Sequence, residues 1–406
     1  MKVIIKKGKA RGRVEAPPSK SMAHRMLICA GLSKGTSVVE GIAESRDVLA
    51  TVECLEAMGV KCVRSGESMT VTGIDILKAA PERTLDCNES GSTLRFFVPL
   101  CLLSGAEAVL TGSRRLMERP LGIYKDLCRE RGLLFSQEDG SVRVRGPLKP
   151  GKFKLAGNVS SQFISGLLFA LPLLDGDSLI TITPPVESRS YIDMTIASLA
   201  TFGVKVLWQD ENTICIKGGQ EYKAGKVRVE GDYSNAAFFE ALNVFGGDVI
   251  IDNLNPDSIQ GDRVYGKMFE QLKNGTPILN VSDCPDLGPI LFAVAAAGNG
   301  GIFSGTGRLK IKESNRGEVM AEELRKFGTS VKVYEDEIII YPAEFKKPEK
   351  PVAGHNDHRI VMTAAILLTL TGGEIEGAEA VTKSFPDFFE KLTSLGIEVE
   401  KIEDKS

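Results

Sequence analysis

At 406 residues, 43% hydrophobic and 25% charged, the chain has an ordinary globular composition and a length that suits two domains of about 200 residues. A net charge of −3 offers no basic surface for nucleic acid. The longest apolar run, 290–297, is far short of the roughly 20 residues that cross a bilayer, and the amino-terminal MKVIIKKGKARGRVE lacks the apolar core of a signal peptide.

The elements repeat along the chain. Ser19-Lys20-Ser21 opens an apolar helical pattern, Ser21–Leu32, that closes at Lys34-Gly35. Thr36–Glu40 follows as a β-branched strand. Glu44-Ser45-Arg46-Asp47 is a polar start for a second helix, Val48–Met58, capped by Gly59 before a strand at Val60–Val63. Similar openings recur at Gly91-Ser92-Thr93, Ser160-Ser161-Gln162, Asp232-Tyr233-Ser234, Asp286-Leu287-Gly288 and Asp357-His358-Arg359. The closing glycines are 70, 71, 70, 52 and 74 residues apart, and the second-helix glycines are 73, 71, 72, 53 and 68 apart. Two series keeping one period indicate six small α/β modules, longer than the 20–50 residues of a solenoid unit. The three later modules open on Asp, and the short step falls after that change. The composition boundary therefore lies near 225–231.

Helix starts carry the chemistry. Free N–H groups and the positive end of the helix dipole make them anion sites. Ser19-Lys20-Ser21 with Arg25, Ser160-Ser161-Gln162, and Glu89–Thr93 with Arg95 supply hydroxyls and cations. For each alone, a simple N-cap is the commoner role. In the second half, Asp286, Lys312-Glu313-Ser314-Asn315-Arg316, Asp357-His358-Arg359 and Lys383 add carboxylates with further cations, although Asp286, after Pro285 at a helix start, is more simply an N-cap and a charge run is usually a solvated face. Together the two halves suit two anionic small molecules with acid–base groups to spare, which leaves a two-anion transferase or an anion-binding protein. The three histidines form no H-E-x-x-H motif and the eight cysteines no C-x-x-C pair, so no metal site is expected; Cys29, Cys54 and Cys101 lie in apolar helical patterns and read as buried thiols of a reducing cytosol.

The spellings PPSKSMAHR (17–25), NESGSTLRFF (88–97), MERP (117–120), NVSSQFISGLL (158–168), SRSYIDMT (188–195), KESNR (312–316), HNDHRIVM (355–362) and TKSFPDFF (382–389) run in order over nearly the whole chain. They resemble the 5-enolpyruvylshikimate-3-phosphate synthase family of enolpyruvyl transferases. The resemblance implies an α/β (α+β) fold of two domains, each three βαβαββ repeats around a pseudo-threefold axis (an inverse α/β barrel). The domains would be 1–19 with 230–406, and 20–229, with the active site in the cleft between them. It implies transfer of the enolpyruvyl group of phosphoenolpyruvate to shikimate 3-phosphate, in aromatic amino acid biosynthesis, by a cytoplasmic monomer with no metal or other cofactor. Lys20, Ser21, Arg25, Ser160, Ser161, Gln162, Ser188, Tyr191, Asp286 and Lys312 would bind shikimate 3-phosphate. Lys20, Gly91, Arg119, Gln162, Arg316, Arg359 and Lys383 would bind phosphoenolpyruvate. Asp286, Glu313, Lys20 and His358 would carry the proton transfers. The chain departs from the family's usual spelling at Glu89, Arg308 and Asn315.

Three other readings compete. The related transferase acting on UDP-N-acetylglucosamine usually has a cysteine in the loop corresponding to Thr111–Arg119, and TGSRRLMER has none. A non-catalytic anion-binding protein would not need Lys20, Asp286 and Glu313 together. An RNA-end-processing enzyme fits poorly with an acidic chain that lacks a nucleotide-binding motif.

Overall fold

The computed structural model describes residues 1–402. The chain is mixed α/β and divides into two compact units, Pro18–Glu230 and Met1–Pro17 with Gly231–Ser406. The domain expectation runs to 406, and its last four positions lie outside the described residues.

Within Pro18–Glu230, α1 (Lys20–Leu32), α2 (Arg46–Ala57), α3 (Gly91–Cys101), α4 (Arg114–Met117), α5 (Gly122–Glu130), α6 (Ser161–Ala170) and α7 (Arg189–Thr201) accompany three four-stranded sheets. Their strand orders are Lys226–Arg228, Thr36–Glu40, Ser68–Thr72, Lys61–Ser65; then Leu85–Asp86, Glu107–Thr111, Ser141–Arg145, Leu134–Glu138; then Lys152–Ala156, Ser178–Thr183, Thr213–Ile216, Val206–Trp208. In each sheet the first pair is parallel and the others antiparallel. Helices α1, α3 and α6 are apolar almost all round and correspondingly buried. In the first repeat the second helix starts two residues earlier than expected, at Arg46, and the strand after it starts one residue later, for a local reason. Gly59 takes a left-handed φ of 94° and its N–H bonds to Glu56 O, while Val60 N–H bonds to Leu55 O. That pair of bonds is a Schellman cap. It uses the Val60 amide to end α2, so the strand begins at Lys61.

The other unit contains α8 (Tyr233–Val244), α9 (Tyr265–Asn274), α10 (Gly288–Ala297), α11 (Arg316–Lys326), α12 (His358–Thr371) and α13 (Phe388–Ser394). One sheet, Ile278–Asn280, Gly301–Ser304, Glu337–Ile340, Val331–Val333, repeats the pattern above. A second is completed from the amino terminus: Lys2–Ile5 lies antiparallel between Gly373–Glu376 and Val399–Ile402, with Val352–Ala353 outermost. The third is only a parallel pair, Asp248–Asp252 with Arg11–Glu15. The short repeat step is thereby explained, because this module lacks the hairpin that four of the others carry and that Lys2–Ile5 replaces in the last. Each unit has its own hydrophobic core. Among the described residues no helix is long and apolar enough to cross a membrane.

Candidate active site

In Pro18–Glu230 the site residues gather at the amino ends of α1, α3 and α6. Ser19 caps α1, with its Oγ accepting from Met22 N at 3.4 Å, and this leaves Lys20 at the first helical position. Lys20 Nζ donates to Asp47 Oδ2 at 2.7 Å, from the first turn of α2. Arg25, one turn further along α1, donates through Nε to Thr195 Oγ1 (2.8 Å), through Nη1 to Ser21 O (2.6 Å) and through Nη2 to Tyr191 O (3.0 Å). Burial pushes this guanidinium down to about 10, partly opposed by Tyr191.

Helices α3 and α6 are tied where they start. Gln162 accepts from Arg95 Nη1 at 2.7 Å and donates to Ser92 Oγ at 3.0 Å. Ser160 caps α6 through Gln162 N, and the adjoining Ser161 is buried. Ser188, also buried, holds the N-cap position of α7 at a left-handed φ of 55°. Gly91 has a steric reason to be glycine. A Cβ there would lie 2.5 Å from Arg119 Nη1 and 2.9 Å from Arg95 Nη1. Arg119 is 8% exposed, and its Nε has no hydrogen-bond partner among the described residues. A buried donor without an acceptor is rare in native proteins and is what an anionic ligand would satisfy.

In the other unit the sets meet at the starts of α8, α10, α11 and α12. Asp286 is not the N-cap that its position suggested, because Leu287 occupies that place. Its carboxylate instead faces Arg316 Nη1 at 2.8 Å, Lys312 Nζ at 3.2 Å and Arg359 Nη2 at 3.6 Å. Arg316, 1% exposed, also reaches Glu313 Oε2 at 2.7 Å and Asp357 Oδ2 at 2.9 Å. Three carboxylates thus interleave with three cations. Burial alone would lower the Arg316 pKa, but Asp357, Glu313 and Asp286 together raise it, so it remains a cation. For Lys312 burial wins and lowers the pKa despite Asp286. Asn315 caps α11, accepting from Glu318 N at 3.5 Å, so asparagine at this position supplies the helix start with its cap. Arg308 sits close enough to act electrostatically on Lys312. Asp357 caps α12 and accepts from Arg359 N at 2.9 Å, which makes His358 its first residue; Lys383 Nζ donates to Asn356 O at 2.5 Å.

Sequence reasoning passed over Asp47, Asn235 and Asp262. Asn235 Oδ1 accepts from Arg359 Nη1 at 3.2 Å. Asp262 is buried, accepts from Ser234 Oγ, and is raised to about 6 by burial and then by Asp286. Asp47 stands at a recognisable second-helix start. Asp262 lies in a short turn that carries no pattern.

A family model described as EPSP synthase (3-phosphoshikimate 1-carboxyvinyltransferase) matches residues 4–392. Two relatives named 3-phosphoshikimate 1-carboxyvinyltransferase are each 40% identical to this chain. That of Clostridium beijerinckii covers 96% of this chain and 96% of its own, and that of Clostridium perfringens 97% and 98%. A solved structure of EPSP synthase from Acinetobacter baumannii matches with a TM-score of 0.80 at 26% identity, over 98% of this chain and 100% of that one.

Proposed function

The chain belongs to the EPSP synthase family, and from that premise we propose that it transfers the enolpyruvyl group of phosphoenolpyruvate to the 5-hydroxyl of shikimate 3-phosphate, releasing phosphate. The reaction is a step of aromatic amino acid biosynthesis. The observation that carries the reading is the acid–base cluster of Asp286, Lys312 and Glu313 around buried Arg316, which binding alone does not require.

Asp286 takes the proton of the 5-hydroxyl as its oxygen attacks C2 of phosphoenolpyruvate. Glu313 and Lys20 deliver a proton to C3, with Lys312 and His358 in support, and a tetrahedral intermediate results. The C2–O bond to phosphate then breaks, C3 gives back a proton, and the enol ether and phosphate leave. Gly91, Arg119, Gln162, Arg316, Arg359 and Lys383 hold phosphoenolpyruvate, with Lys20. Cations in fixed positions stabilise the charge that moves to the departing phosphate. Ser21, Arg25, Ser160, Ser161, Gln162, Ser188 and Tyr191 hold shikimate 3-phosphate, with Lys20, Asp286 and Lys312. The enzyme works as a cytoplasmic monomer without a metal or organic cofactor.

Phosphate release by purified protein tests the reading. Release is expected only with both substrates present, and to persist in chelator. Release from phosphoenolpyruvate alone, or none although both ligands bind, would remove it. Gly91→Ala is expected to raise KM for phosphoenolpyruvate about tenfold, equal to ~1.4 kcal/mol, with little change in KM for shikimate 3-phosphate. The new methyl must displace the Arg119 guanidinium. Steady-state kinetics with each substrate varied in turn would show this, and an unchanged phosphoenolpyruvate KM would mean that Arg119 does not hold that ligand.

A further inference from the structure

The chain that leads into Asp357-His358-Arg359 is fastened to α11, the helix that begins with Arg316. Glu323, two turns along that helix, is 2% exposed. Its carboxylate accepts from Ala353 N at 3.1 Å, from His355 Nε2 at 2.8 Å and from Lys326 Nζ at 2.8 Å. Lys326 also donates to Pro351 O at 3.0 Å. Immediately after these anchors, His355 and Asn356 both take left-handed φ values, 49° and 51°. Non-glycine residues seldom adopt that region, and two in succession persist only where the surroundings dictate it. Within the bend Asn356 O accepts from Lys383 Nζ, and just past it Asp357 accepts from Ser314 Oγ and Arg316 Nε while capping α12.

We propose that Glu323 and His355 are positioning residues for phosphoenolpyruvate: their contact holds the left-handed bend that sets Lys383 and Arg359. This rests on the reading that Lys383 and Arg359 grip that substrate. Neither positioning residue need touch it. Glu322, Glu323 and His355 also approach one another closely enough to suggest a cation site, but the Lys326 ammonium is the cation already seated on Glu323.

The contact is sensitive to pH. The hydrogen bond to Glu323 raises the His355 pKa, burial opposes it, the charges of Glu323 and Glu322 add to the rise, and Lys326 subtracts from it. The imidazolium therefore predominates below that raised value, and the ionic part of the clamp is complete there. It is lost as pH rises through the raised value, leaving a neutral hydrogen bond. Phosphoenolpyruvate binding should weaken over the same interval.

The test is KM for each substrate and kcat between about pH 6 and 9 for the wild type, His355→Gln, Glu323→Gln and Lys383→Met. His355→Gln keeps an amide donor without the charge. It is expected to raise KM for phosphoenolpyruvate about three- to tenfold at the acid end and to flatten its pH dependence. KM for shikimate 3-phosphate should not move. Lys383→Met should raise the phosphoenolpyruvate KM at every pH. If Lys383→Met does so while His355→Gln matches the wild type throughout, the clamp is refuted and the substrate reading stands. If Lys383→Met has no effect, the substrate reading fails and the proposal with it. Glu323→Gln, where it folds, should reproduce the loss of pH dependence; a wild-type profile in that variant would also overturn the clamp.

Discussion

Asp286→Asn is expected to lower kcat by about 10²- to 10⁴-fold in a protein that still folds and still binds shikimate 3-phosphate. Asparagine keeps the shape of aspartate and one acceptor oxygen, so Arg316 retains a partner at that point. What is lost is a carboxylate able to take the proton of the 5-hydroxyl. The buried network survives, because Glu313 and Asp357 remain at 2.7 and 2.9 Å from Arg316. Calorimetric titration of shikimate 3-phosphate and single-turnover kinetics separate binding from chemistry. A kcat within a fewfold of wild type would take Asp286 out of the proton transfer and leave it as a structural anchor.

Arg316→Met should have the larger effect on stability, a loss of about 3–5 kcal/mol alongside loss of activity. Arg316 is one of the most deeply buried large side chains, and it neutralises three carboxylates at once. The Asp357 side chain is 0% exposed, so it cannot turn to water for relief. Lysine is a poor substitute, because a single ammonium cannot reproduce the fork that reaches Asp286, Glu313 and Asp357 from separate nitrogens. Denaturant melts of Arg316→Met and Arg316→Lys give the readout. A midpoint shift worth less than ~1 kcal/mol in the methionine variant would mean that the carboxylates find other partners or take up protons at little cost.

Both predictions concern residues whose importance was legible in the sequence before their partners were. Lys20, Arg25, Gln162, Asp286, Glu313, Arg316 and Arg359 stand at or beside helix starts that recur with the repeat, and recurrence is visible in one dimension. What each side chain touches was not visible. Asp286 looked like an N-cap because it follows a proline and precedes an apolar run, whereas Leu287 takes that position and the carboxylate meets Lys312 and Arg316, 26 and 30 residues further on. Lys20 reads as a cation at the first helix start, and its pairing with Asp47 is visible only in the fold.

The modules, their period, the helices within them and the family are readable along the chain, because helix patterning, caps and motif spelling are local properties of consecutive residues. Long-range packing alone makes Lys2–Ile5 and Arg11–Glu15 complete sheets with strands hundreds of residues away and leaves the short repeat without its hairpin. The same packing sets Arg119 against Gly91, which must be glycine there, and brings Glu323 across to His355. Strand pairing and side-chain partnership depend on which surfaces pack together, and a pattern read along one segment holds no record of the segment that will lie beside it.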